Sequence, residues 1–210
     1  MNIVQPIRDK KLLEEFKRLL RIRDYKYYIM TVIGLNTGLR ISDILKLKVD
    51  DILGTHITIK EQKTGKYKRF LINDNLRNEL DRYIKQANLT KENYLIPSNK
   101  RDKNGNEKPI TRVQAYNILK SIGDQLGISN IGTHTLRKTF GYFYYQQYKD
   151  IATLQQIFNH SSPSITLKYI GITDDIIDST ISNFSIWLKF NYTMINLAKL
   201  KSTRNQLNLK

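Results

Sequence analysis

His56-Ile57-Thr58-Ile59 and Tyr67-Lys68-Arg69-Phe70-Leu71-Ile72 are β-rich runs on either side of a polar turn, Lys63-Thr64-Gly65-Lys66. Alternation flanking a glycine turn reads as a hairpin, and it interrupts a chain whose apolar residues otherwise recur at helical spacing. Upstream, Asp9 is placed to cap a helix with Leu12, Leu13, Phe16, Leu19 and Leu20 on one face. A second apolar segment runs from Tyr25 to Leu35 and stops at Asn36-Thr37-Gly38; a short helix, Ser42 to Leu47, comes next. Downstream, Leu76, Leu80 and Ile84 restore helical spacing. Asn99 to Pro109 reads as a flexible basic loop, and helical pattern resumes from Thr111. Thr133 and Asp150 are expected to cap two further helices, and Thr173-Asp174-Asp175 to open a last apolar stretch through Phe184, Trp187 and Leu188. The expected fold is mainly α (α+β): a helical domain with a small antiparallel β-sheet.

Composition narrows the partner. The 210 residues suffice for one domain with a sizeable core. Lys+Arg 35 against Asp+Glu 19 leaves a formal charge of +16. Such an excess suits a polyanion, since each neutralised phosphate releases condensed counterions. The chain has no cysteine, which excludes disulfides and thiolate-held metals. No secretory leader or membrane-length apolar run is evident, so a soluble cytoplasmic protein without membrane partners is expected.

Six residues carry types suited to phosphodiester chemistry. Arg40 lies in Thr37-Gly38-Leu39-Arg40-Ile41-Ser42-Asp43, where the glycine turn lets it point into a cleft. His134 and Arg137 form a His-x-x-Arg pair, neighbours on a helix. His160 leads His160-Ser161-Ser162-Pro163, hydroxyl caps followed by proline. Tyr169 comes nine residues after His160, and Lys63 opens the hairpin turn. Guanidinium forks match phosphate oxygens and stay charged. An imidazole can take a proton from a phenol, and a phenol so activated can attack phosphorus.

In order and spacing these motifs resemble the catalytic domain of the tyrosine recombinases, the phage integrase family, over roughly residues 10–175. The resemblance implies that Arg40, Lys63, His134, Arg137, His160 and Tyr169 are catalytic. Tyr169 would form a 3′-phosphotyrosine with DNA and Lys63 would protonate the leaving 5′ oxygen, with Lys66 of the same turn as the alternative acid. One phosphoester replaces another, so neither ATP, metal nor other cofactor is implied. Lys66, Lys68, Arg69 and Lys103 are expected to grip the DNA backbone. His56 has no partner for metal binding and is expected to be an ordinary strand residue.

Double-stranded DNA and a homo-tetramer assembled on it are the implied partners. Residues 1–190 would form the catalytic domain. Residues 191–210 would be a basic tail, either disordered or contacting a neighbouring subunit; from Ser182 on the chain has five basic residues and no acidic one. Two features depart from the pattern. Asn159 stands where the family has a small glycine, though Asn tolerates left-handed backbone. Only 39 residues precede Arg40, too few for the N-terminal DNA clamp of many members. Two other readings stay open: a type IB topoisomerase-like enzyme that cleaves and reseals one strand, and a DNA-binding accessory protein without catalysis.

Overall fold

The structure is a computed structural model. It describes residues 4–60, 65, 67–172, 178, 179, 181, 182 and 184. A compact unit runs through Gly171, and the residues from Ile172 on belong to a second unit. The predicted last apolar stretch and the basic tail therefore lie almost wholly outside the described residues, as do Lys63 and Lys66.

Helix α1 (Lys10–Arg23) starts where Asp9 accepts from the Leu12 amide, and it buries Phe16 and Leu20. Asp24 ends α1 and caps α2 (Tyr25–Thr37), whose Ile29, Met30 and Ile33 are fully buried. A stub, α3 (Ile41–Ile44), and a 3-10 turn (Asp50–Ile52) lead to β1 (His56–Lys60) and β2 (Tyr67–Leu71). The expected Ser42–Leu47 helix is thus shorter and begins one residue earlier. The two strands pair antiparallel with Ile57 opposite Phe70 and Thr58 opposite Arg69. Ile57 and Ile59 face the core while Thr58 and Lys60 face outward, the alternation a half-buried sheet requires. Helices α4 (Asp74–Gln86), α5 (Arg112–Gln125), α6 (Thr135–Tyr148), α7 (Ile151–Phe158) and α8 (Pro163–Ile170) complete the order. Helix α2 is the centre of the packing, in contact with α1, α4 and α6.

Three differences from expectation have local causes. Thr133 does not cap α6; His134 occupies that position, because the Gly132 amide bonds the Thr135 hydroxyl and the Thr135 amide bonds the Gly132 carbonyl. Asn99–Pro109 is held rather than loose. Ser98 and Ile110 amides bond the Lys108 and Ile96 carbonyls, and the Asp102 carboxylate accepts from the Asn104 and Asn106 amides. The Asn104-Gly105 pair, a hairpin-turn signature, is the sequence signal for this ladder. Asn159 adopts φ 53°, so the asparagine takes the left-handed turn that a glycine would.

The turn before Arg40 is stitched by Thr37, whose hydroxyl donates to the Ile33 carbonyl and accepts from the Leu39 amide. Gly38 ends α2 at φ 64°, and a Cβ there would sit 2.5 Å from the Phe140 ring. Gly38→Ala therefore combines left-handed strain of about 1–2 kcal/mol with overpacking of about 1–3 kcal/mol. Urea unfolding of the variant is expected to show a loss of about 2–5 kcal/mol; a change under about 0.5 kcal/mol, the scatter seen at neutral surface sites, would mean the turn tolerates a side chain.

Candidate active site

Three chain segments converge. The α2–α3 turn brings Arg40, the start of α6 brings His134 and Arg137, and the α7–α8 connection with α8 brings His160 and Tyr169. The Tyr169 hydroxyl lies 2.9 Å from His134 Nδ1, with the two rings edge to face. The Arg137 guanidinium is close enough to this phenol to favour its ionised form.

Arg137 is the most constrained member. It is 3% exposed, and its guanidinium donates to the Gly38 carbonyl through Nη1 and to the Phe158 carbonyl at 2.9 Å through Nη2. It also lies 4.2 Å from the Phe158 ring centroid. A buried cation is tolerable only when hydrogen-bonded in this way. Its partners tie the end of α2 to the end of α7, so one side chain sets the spacing of all three segments. Arg40 is half-buried in extended backbone between α2 and α3, close enough to act electrostatically on both His134 and Tyr169.

His160 is held by its backbone and its ring. Its amide bonds the Gln155 carbonyl, and Gln155 Nε2 donates back to the His160 carbonyl at 3.1 Å. Nδ1 lies 3.0 Å from the Thr166 hydroxyl, which itself donates to the Ser162 carbonyl. Ser162 caps α8 by accepting from the Ile165 amide, with Pro163 in the first turn, as the motif predicts.

Two contributors have no motif to announce them. Phe158 is a fully buried floor, its ring 5.3 Å from His160 and 5.4 Å from Tyr169. Lys138 stands with Nζ 4.9 Å from the Tyr169 ring centroid, and burial pushes its ammonium pKa down. Both residues sit beside motif positions, and only three-dimensional packing separates them from ordinary core and surface residues.

The electrostatics oppose each other across the 2.9 Å contact. Burial raises the Tyr169 pKa, while the cations Arg137 and Arg40 pull it back. His134 is driven the other way. Loss of hydration lowers its pKa first, and then the charges of Arg137, Arg112, Lys138 and Arg40. The resting pair at neutral pH is a phenol facing a neutral imidazole.

Of the remaining sequence candidates, Arg69 is exposed on the outer face of the hairpin, with Nη2 3.3 Å from His56 Nδ1. His56 is the first residue of β1, as expected. Lys103 is exposed in the Asn99–Pro109 segment. Among the described residues no group of three His, Cys, Asp or Glu side chains could hold a metal ion, and no helix is long and apolar enough to cross a membrane.

The model of the phage integrase family matches residues 10–175. The chain belongs to the phage integrase family. Among curated proteins it is 48% identical over 177 residues to one described as "Probable integrase/recombinase YoeC" of Bacillus subtilis, covering 83% of this chain and 93% of that one. It is 29% identical over 168 residues to the tyrosine recombinase XerA of Pyrococcus furiosus, covering 76% of this chain but 56% of XerA. The integrase fold is also seen in a crystal structure of the XerH site-specific recombinase in a post-cleavage complex with its difH substrate. That match has a TM-score of 0.66 at 20% identity and covers 87% of this chain and 54% of XerH.

The His134 environment has a measurable signature. An imidazole titrates near 6.5 when unperturbed, and here it is displaced downward. The unfolded chain then binds the proton more tightly than the folded one. His134's contribution to stability is complete above pH 6.5 and is lost as pH falls toward the folded-state pKa. NMR titration of the three histidines should find His134 below the ordinary value, and Lys138→Met should bring it back up. An ordinary titration unaffected by Lys138→Met would remove the neighbouring cations from the account.

Proposed function

We propose that this chain is a tyrosine-type site-specific DNA recombinase that cleaves and rejoins strands through a 3′-phosphotyrosine, without ATP or metal. The observation that carries the reading is the Tyr169 hydroxyl 2.9 Å from His134 Nδ1, in a site walled by Arg137 and Arg40. Family membership supports it, as does the likeness to recombinases of known name. In this reading Tyr169 attacks a backbone phosphorus and His134 accepts the phenolic proton. The bond from phosphorus to the 5′ oxygen breaks, leaving a phosphotyrosine and, once protonated, a free 5′ hydroxyl. Lys63 supplies that proton. Attack by a 5′ hydroxyl from another strand reverses the step and exchanges the strands.

Arg40 and Arg137 hold the non-bridging oxygens as negative charge grows on them, the kind of preorganised stabilisation that is commonly the largest catalytic term. His160 adds a hydrogen bond to the same phosphate. Their burdens differ. Arg137 also braces the fold through two carbonyls, so its loss would damage structure and chemistry together, whereas Arg40 is only half-buried. Lys66, Lys68, Arg69 and Lys103 grip the backbone of double-stranded DNA, and a homo-tetramer brings two duplexes together.

Incubated with nicked DNA containing its site, the protein should form a denaturant-resistant adduct, and Tyr169→Phe should bind DNA but form none. Because His134 is neutral above its lowered pKa, the adduct rate should hold through neutral pH and fall only below the ordinary imidazole range. Persistence of the adduct in Tyr169→Phe would move the nucleophile to another tyrosine, with Tyr142, Tyr144 and Tyr145 of α6 the first to test.

The acid can be tested by chemical bypass. A 5′-bridging phosphorothiolate departs as a thiolate, whose conjugate acid titrates near ~8.5 and hardly needs a proton. Lys63→Ala should cleave ordinary DNA slowly and recover on this substrate, while Arg40→Ala should not recover. Recovery of Lys66→Ala instead would reassign the acid within the turn.

A further inference from the structure

Helix α8 has only eight residues, and it carries Tyr169 one position before its last. Its N-terminal end is well anchored, by the Ser162 cap and by the His160 and Gln155 bonds to α7. Its other end is the end of the compact unit, where Gly171 closes the helix at φ 74°. Terminal carbonyls of a helix need outside donors. Here the donor comes from the far end of the chain: Arg8 Nη2 donates to the Gly171 carbonyl at 2.7 Å.

Arg8 is itself held in place. Ile7, its neighbour, is 2% exposed, and its amide donates to the Thr139 hydroxyl on α6 at 2.9 Å. The Gln5 amide bonds the Asn130 carbonyl, so the arm from residue 5 to 8 is pinned on both sides. The Arg8 guanidinium then lies 5.3 Å from the ring centroid of Tyr142, also on α6. A Cβ at position 171 would stand 2.7 Å from Arg8 Nη2, so any larger residue there would displace the guanidinium from its place. Positive charge at a helix C-terminus is favourable, which suits an arginine in this place.

We propose that Arg8 is a positioning residue for the nucleophile: it braces α8 against α6 and so holds Tyr169 at its distance from His134 and Arg137. The brace spans two helices that share the reacting groups, with Tyr169 on α8, Arg137 within α6 and His134 at its cap. An N-terminal arm lifted from α6 would take the donor with it and loosen the phenol. Placement of the arm thereby controls the competence of the site. This rests on Tyr169 being the nucleophile, as proposed above.

The test compares wild type, Arg8→Met and Arg8→Lys in the full chain. Methionine keeps an unbranched apolar stem and removes the donors; lysine restores a cation and a donor. Single-turnover adduct formation on nicked DNA should slow about fivefold in Arg8→Met, within the roughly 2–12-fold that one net hydrogen bond is worth. The DNA concentration giving half-maximal rate should stay unchanged, and Arg8→Lys should recover part of the rate. Hydrogen exchange without DNA should accelerate in residues 163–171 of Arg8→Met and stay unchanged in α2. Wild-type adduct rate with unchanged α8 protection in Arg8→Met would overturn the proposal. So would equal acceleration of exchange in α2 and α8, the mark of general destabilisation. Should wild type form no adduct at all, the recombinase reading fails on its own, and the exchange experiment still decides whether Arg8 holds α8.

Discussion

A guanidinium buried away from water must have its N–H groups answered, and in Arg137 that demand organises the site. Its two carbonyl acceptors belong to Gly38 and Phe158, which lie at the ends of α2 and α7. Neither chain segment could move without stranding a charge, which in a dry environment is far more costly than losing one ordinary hydrogen bond. The site is therefore braced around this one cation. The turn that presents the Gly38 carbonyl needs a glycine twice over, once for its left-handed backbone and once for the space a Cβ would take from Phe140.

Around this fixed charge the remaining groups are arranged by short connections. Asn159 reverses the chain after α7, the His160 amide returns to Gln155, and Ser162 starts α8. Two eight-residue helices joined this tightly can place His160 and Tyr169 with ring centroids 5.0 Å apart. The stacking on Phe158 then gives the cation, the imidazole and the phenol one common apolar floor. An apolar floor strengthens every charge interaction above it by keeping water out.

Much of this was legible in residue order. Asp9, Asp150 and Ser162 each cap the helix that their chemistry announces, and the change of period at residues 56–72 does mark the hairpin. Of the six residues that the family motifs named, the fold brings together Arg40, His134, Arg137, His160 and Tyr169, while Lys63 lies outside the described residues. The features that stayed hidden are of two kinds. Some hinge on competition between equivalent local choices: Thr133 is as good a cap as any, until the Gly132–Thr135 pairing uses the turn and leaves the position to His134. Others depend on contacts between distant residues. Phe158 looks like any apolar residue ending a helix, Lys138 like any surface lysine, and the Arg8 contact joins residues 163 positions apart. Residue patterns report faces and ends of elements; they carry no record of which face meets which.

The raised Tyr169 pKa has a consequence for handling the protein. Reagents that modify tyrosine through the phenolate, by iodination or nitration, act on whichever phenols ionise and meet solvent. Tyr67 and Tyr148 are 73% and 60% exposed, whereas Tyr169 sits half-buried with burial opposing its ionisation. The residue at the centre of the site is thus chemically quiet at rest, and general tyrosine labelling would decorate the outside of the molecule first.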